Sequence, residues 1–150
     1  MIIKTNEELK TLVGKEIGKS KPFLITQKFI NDYANATFDT QWIHTDPKRC
    51  SIESPFGDQP IMHGLLGIAL LTQLYKETIQ LPPFKAQINC AIDNAKFLKP
   101  VLVGDNVYGT FTLQKLGIRK NFLQLTWLNK LFNQNDKLCL YAVMVNRRYI

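Results

Sequence analysis

Asp39 and His44 stand five residues apart in the stretch Asp39-Thr40-Gln41-Trp42-Ile43-His44-Thr45-Asp46-Pro47. A carboxylate and an imidazole can exchange protons near neutral pH, and together they can supply the base and the acid of one reaction. Further along, His63 and Gly64 come just before the apolar run Leu65-Leu66-Gly67-Ile68-Ala69-Leu70-Leu71. A helix start offers unpaired backbone N–H groups and the positive end of the helix dipole, which suit an oxygen that gains negative charge. Two proton-transfer groups on an irregular segment, upstream of a glycine at a helix start, outline an active site for acid–base chemistry. Spacing alone leaves a second reading open, since a lone aspartate before a loop is usually a turn or cap residue.

Other chemistries find less support. The two histidines are nineteen residues apart and Cys50, Cys90 and Cys139 are dispersed, so the short-range ligand pairs of zinc sites are missing and no metal is expected. Val13-Gly14 and Val103-Gly104-Asp105 hold isolated glycines rather than a phosphate cradle, and no cofactor is expected. Cys50 lies six residues past His44, yet without a paired base it reads as a buried thiol or an idle loop residue.

Length and charge bound the rest. At 150 residues and 45% hydrophobic, the chain has the size of one domain, 1–150, able to bury a core without metals or disulfides. The net charge of +7 is spread out, with Lys48-Arg49, Arg119-Lys120 and Arg147-Arg148 as its densest pairs. That pattern lacks the basic helices of nucleic-acid modules, so no nucleic acid is expected. A phosphate-bearing small ligand or an acidic carrier protein fits the charge, and so does a lysine-rich surface with no partner. An odd cysteine count and no charged lead into an apolar signal point to a reducing cytoplasm. The longest apolar run, 61–71, is broken by His63 and falls well short of the roughly 20 residues that span a bilayer, so it reads as a buried helix and no membrane is expected.

The elements that would position Asp39, His44 and Gly64 follow from periodicity. Residues 6–14 read as a short helix capped by Thr5 or Asn6 and stopped by Gly14. Residues 23–26 form a strand-like run, and a helix opening at Thr26 or Gln27 carries the chain through Phe29, Ile30, Tyr33 and Ala34 to Asp39. Residues 40–60 are rich in turn signals and predict a long loop with one short helical turn at 47–50. From 64 to 79 the pattern is apolar nearly all round, which requires cover on most faces. Four β-rich stretches, 86–97, 106–116, 121–131 and 138–149, can supply it, two of them with clear period-two alternation. The expected class is α+β, one central helix against an antiparallel sheet.

In order and spacing these motifs resemble a known family. Ala36-Thr37-Phe38-Asp39-Thr40-Gln41-Trp42-Ile43-His44-Thr45-Asp46-Pro47, Pro55-Phe56-Gly57, Ile61-Met62-His63-Gly64-Leu65-Leu66, Lys96-Phe97-Leu98-Lys99-Pro100-Val101, Val103-Gly104-Asp105 and Asn146-Arg147-Arg148-Tyr149 are similar to the MaoC-type dehydratases of the hotdog fold, in the branch of nodulation protein N. The resemblance covers nearly the whole chain. It implies a long helix wrapped by a curved antiparallel sheet, and hydration of trans-2-enoyl thioesters of coenzyme A or acyl carrier protein to (R)-3-hydroxyacyl thioesters, or the reverse. By position it makes Asp39 and His44 the catalytic pair and the Gly64 N–H the donor to the thioester oxygen. His63 then belongs to the helix start behind the pair. Thr72 falls where the family often has a hydroxyl that orients the carboxylate, although a helix threonine bonding its own i−4 carbonyl fits equally. Phe38, Trp42 and Phe56 become candidates for the acyl pocket.

Two departures stand out. Phe38 occupies a position where the family usually has glycine, which suggests either a backbone angle that phenylalanine dislikes or a narrowed acyl pocket. The segment 57–62 is about one residue longer than the pattern, which would shift Gly64 relative to His44. Hotdog relatives cover their open sheet edges by pairing across a two-fold axis, so a homodimer is expected. Two rival functions share the fold: a non-catalytic acyl-thioester or carrier-binding module, and a thioesterase.

Overall fold

The computed structural model describes all 150 residues. In chain order the elements are helix α1 (Asn6–Thr11), strands β1 (Glu16–Lys19) and β2 (Phe23–Leu24), helices α2 (Gln27–Thr37), α3 (Trp42–Thr45), α4 (Pro47–Glu53) and α5 (Gly64–Thr78), and strands β3 (Ala86–Phe97), β4 (Asn106–Ile118), β5 (Phe122–Asn133) and β6 (Leu138–Tyr149). All strand pairs are antiparallel, in the order β1-β4-β5-β6-β3, with β2 also on β4. Consecutive strands β4, β5 and β6 pair as a meander, and β3 returns to β6 with Ala86 opposite Tyr149 and Phe97 opposite Leu140. The α+β layout expected from the sequence is the one found.

Helix α5 lies across this sheet. Leu66, Leu70, Leu71, Leu74 and Tyr75 are buried along it, against Phe111, Leu113, Leu125, Trp127 and Leu131 of the central strands. The Tyr75 ring meets Phe111 and Trp127 edge-on, with centroids 5.5 and 5.0 Å away. Burying one such side chain stabilises the fold by about 1.5–3 kcal/mol, so this contact contributes strongly to the molecule's stability. The sheet's approach to the end of the helix is close: a Cβ at Gly18 of β1 would lie 2.6 Å from Thr78 Cγ2. Cover is incomplete on one side, where Leu65 and Ala69 face outward and β3 leaves Ile88, Ile92 and Phe97 about half exposed.

Local chemistry explains most boundaries. Thr5 and Thr26 accept hydrogen bonds from Glu8 N–H and Phe29 N–H and so cap α1 and α2. Gly14, at φ 85°, supplies the left-handed turn after α1. The expectation for residues 40–60 needs correction, because two helices form there instead of a loop with one turn. Asp46 accepts from Arg49 N–H, Pro47 occupies the first turn, and an Arg49–Glu53 pair at 2.8 Å supports α4, so a string of turn signals acts as caps. Strand β1 was missing from the sequence reading, since four residues with a central glycine carry no periodic signal.

Candidate active site

The end of α2 sets the position of Asp39. Phe38 closes that helix in the left-handed region, φ 61° and ψ 16°, a conformation that favours glycine and costs other residues about 1–2 kcal/mol. The backbone-angle explanation of the Phe38 departure therefore holds. The acyl-pocket role of Phe38 needs correction, because its ring is 87% exposed and does not line the hollow that holds His44. Trp42 also leaves the pocket list. Its indole takes the Arg49 guanidinium at 4.4 Å on the outer side of α4 and does not line the hollow. Phe56 does line it.

His44 is held from several directions. Its Nδ1–H donates to the Ile61 carbonyl at 2.7 Å, and the Ile61 N–H returns a bond to the Ile43 carbonyl at 3.0 Å. Gln27 Nε2 donates to the His44 carbonyl at 2.8 Å. The Cys50 thiol sits 3.6 Å from the Trp42 and Ile43 carbonyls, so it is a buried staple of this segment. With Nδ1 occupied, the neutral ring leaves Nε2 with a free lone pair. Burial pulls the His44 pKa below its ordinary value of 6.5, and the neighbouring His63 adds to that, against the Ile61 bond and the Asp39 charge. Neutral imidazole is the form present at pH 7.

His63, 3% exposed, lies against this ring, with centroids 3.7 Å apart and planes at 24°. Its Nε2–H donates to the Asp39 carbonyl at 2.9 Å, and the same nitrogen is 3.9 Å from Asp39 Oδ2. Its Nδ1 is buried without a partner. Ligating atoms of Asp39, His44 and His63 all come within 4.8 Å of one another. That span is inside the roughly 5.5 Å that one water can bridge with two ordinary hydrogen bonds. Sequence spacing had hidden this trio, because His63 is 24 residues from Asp39. The same three side chains are also the place where a cation would have its best ligands. His63 Nε2 and His44 Nδ1 already serve carbonyls, so the set suits proton sharing better than chelation.

Gly64 begins α5 just beyond, with no side chain capping that end. A Cβ there would fall 2.7 Å from Phe97 Cε1, so glycine is what lets the β3 ring lie against the helix start. Gly64, His44, Phe56, Leu65, Phe97 and Lys99 all line one mostly apolar hollow of about 420 Å³. The extra residue in 57–62 has not separated Gly64 from His44: residues 57–59 bulge outward, while Pro60 and Met62 bond to Val103 and Val101 on either side of Ile61. Thr72 does not join the pair. It lies about 13 Å further along the helix than His63 and lines a different hollow with Tyr75 and Arg148.

Since Phe38 is strained and its ring is solvent-exposed, Phe38→Gly should raise stability by about 1 kcal/mol in urea unfolding. A loss of stability would show that the ring makes contacts that outweigh the strain.

A family model for the MaoC like domain matches residues 8–126. Nodulation protein N of Rhizobium meliloti (strain 1021) is 40% identical over 125 residues, covering 81% of this chain and 76% of that protein. The 3-hydroxyacyl-thioester dehydratase Z of Mycobacterium tuberculosis is 38% identical over 106 residues, 71% of this chain and 69% of that protein. Among solved structures, the monoamine oxidase regulatory protein from Archaeoglobus fulgius superposes with a TM-score of 0.79 at 21% identity, covering 100% of this chain and 97% of that one. The (R)-hydratase from A. caviae superposes at 0.67 and 24% identity, covering 89% and 96%. At those identities the structural likeness speaks for the hotdog fold, while the sequence matches speak for the family. The chain belongs to the MaoC-like domain family, in the branch of nodulation protein N.

Proposed function

We propose that this protein adds water to trans-2-enoyl thioesters to give (R)-3-hydroxyacyl thioesters, and catalyses the reverse dehydration. The observation that carries the reading is the approach of ligating atoms of Asp39, neutral His44 and His63 to within 4.8 Å of one another, beside an uncapped helix start that lines an apolar hollow with His44. In this reading a water held between them donates to the Asp39 carboxylate and to His44 Nε2 together. As its oxygen bonds to the β-carbon, one of the two takes its proton, and the carbon–carbon π pair moves toward the thioester oxygen. The Gly64 N–H, with the helix dipole behind it, meets the charge that develops there. The captured proton then passes to the α-carbon, and the pair ends in its starting state.

The dehydratase Z relative and the (R)-hydratase fold support this direction of chemistry. The thioester carrier, coenzyme A or acyl carrier protein, is supported by Lys99 at the hollow and by the net charge of +7. A homodimer completes the reading. Strand β3 is an edge of twelve residues with Ile88 and Ile92 half exposed, a surface that invites antiparallel pairing with a second copy.

Three measurements test these statements. Purified protein should remove the enoyl ultraviolet absorbance of crotonyl-CoA and yield the (R) alcohol, and Asp39→Asn should slow this by about 10²–10⁴-fold while keeping its fold. Turnover that survives Asp39→Asn would take Asp39 out of the mechanism. Because protonated His44 has no lone pair to offer, kcat/KM should fall on the acid side with a midpoint below 6.5, and a midpoint above that value would assign the limb to another group. Light scattering should give twice the chain mass, reduced to one chain by Ile92→Lys on β3. A monomeric wild type would remove the dimer.

A further inference from the structure

His63 touches both members of the pair, yet no step of the proposed hydration passes through it. With φ −57° and ψ 134° it is the last residue before α5, and its carbonyl accepts from Gly67 N–H at 3.1 Å. Its side chain makes no cap bond to the helix and is buried between Tyr33, His44 and Asp39. The Tyr33 ring of α2 stands 5.0 Å from it, centroid to centroid.

On the Asp39 side, His63 supplies the one distant anchor. No other group of the chain donates to an oxygen of Asp39, so the 2.9 Å bond from His63 Nε2–H is what ties this residue to α5. The left-handed Phe38 fixes the chain before Asp39 and this bond fixes the peptide after it, which sets the direction in which the Asp39 Cβ leaves the backbone. The carboxylate itself is 3.9 Å from the same nitrogen, outside hydrogen-bond range, and stays free to take a proton.

On the His44 side, the contact is a ring face. The bond from His44 Nδ1 to the Ile61 carbonyl fixes one end of that imidazole and leaves it able to roll about the bond. The His63 ring, 3.7 Å away and inclined by 24°, blocks the roll. Donation through Nε2 leaves His63 Nδ1 as a bare acceptor, buried without a partner. Phenylalanine would stack here without that orphan, so the imidazole is an unfavourable filler and its donor bond is the property that phenylalanine lacks.

We propose that His63 is the positioning residue of the site: its Nε2–H seats Asp39, its ring aligns His44, and its main chain joins both to the Gly64 N–H one residue on. As a role in catalysis this rests on the hydration reading of Asp39 and His44. The other titratable groups around His44 are the Cys50 thiol of α4 and, lining the same hollow, Lys99 and Cys139. Burial first, and His63 after it, lower the His44 pKa against the Ile61 bond and Asp39, so loss of the histidine at 63 raises it.

Two variants divide the roles. His63→Phe keeps a flat ring on His44 and loses the donor, whereas His63→Gln keeps a donor and loses the ring. With crotonyl-CoA, His63→Phe should lower kcat at least tenfold and leave KM within twofold of the wild type, since His63 does not line the hollow. His63→Gln should recover part of that loss. Nitrogen NMR of the His44 ring, which needs no turnover, should show its midpoint raised in both variants. A histidine that only starts the helix would lower the melting temperature and leave the His44 midpoint and kcat unchanged, and that result would overturn the proposal. A large rise in KM at constant kcat would make His63 a substrate contact and overturn it as well. If the wild type hydrates no enoyl thioester, the hydration reading falls by itself and the spectra still decide on His63: raised midpoints support its placement against the pair, and unmoved ones overturn it.

Discussion

The site depends on a two-way tie at Ile61. Its N–H reaches the Ile43 carbonyl and its carbonyl receives His44 Nδ1–H, while its neighbours Pro60 and Met62 bond to Val103 and Val101. Each bond contributes a modest net 0.5–1.5 kcal/mol, but together they join the segment after α2, the approach to α5 and the turn before β4. They also select the His44 tautomer, since a ring that donates through Nδ1 must present Nε2 as a base. Without the tie, His44 would keep its identity and lose both its orientation and its protonation state. The buried staple of Cys50 and the bond from Gln27 act on the same few residues from the other side.

Burial then makes the pair chemically unequal. His44 and His63 share a buried stack, where burial and the neighbouring His63 both disfavour a proton on His44. Asp39, with its side chain 54% exposed, faces the solvent side of the same cluster. An exposed carboxylate and a buried neutral imidazole thus stand in one cluster. A helix start stands at its end because α5 is fixed by its apolar contacts with β4, β5 and β6, whose energy far exceeds that of the polar bonds around the site. The core therefore aims the Gly64 N–H, and the polar ties only adjust the residues that face it.

Much of this layout was legible in the sequence, and the illegible parts share one cause. Helix α5 and strands β3 to β6 follow from periods of 3.6 and 2, and the caps Thr5 and Thr26 from residue type. Asp39 and His44 came to notice through a short spacing and a resemblance. His63 was placed at the helix start, but its stacking on His44 arises only when the chain folds back between residues 46 and 61. Thr72 lies about 12 Å along the helix axis from Gly64, and no hydrogen bond joins it to Asp39 within this chain. Phe38 was read correctly for its backbone and wrongly for its ring, since the sequence carries the angle penalty but not the direction of the side chain. Trp42 went to Arg49 for the same reason, a cation–π contact between neighbouring helices whose presence was not foreseen.

The distribution of unsatisfied buried groups ties the two hollows together. Four side-chain atoms are buried without partners: Gln27 Oε1, His63 Nδ1, Tyr75 Oη and Arg148 Nε. Folded chains satisfy nearly all such groups, so their positions carry information. Two flank His44, one through the Gln27 bond to its carbonyl and one through the stacked ring, and two line the hollow at the other half of α5. Tyr75 and Arg148 therefore line a hollow, whereas Gln27 and His63 stand behind His44 outside the lining of its hollow, where they bear on the His44 backbone and ring rather than on open space.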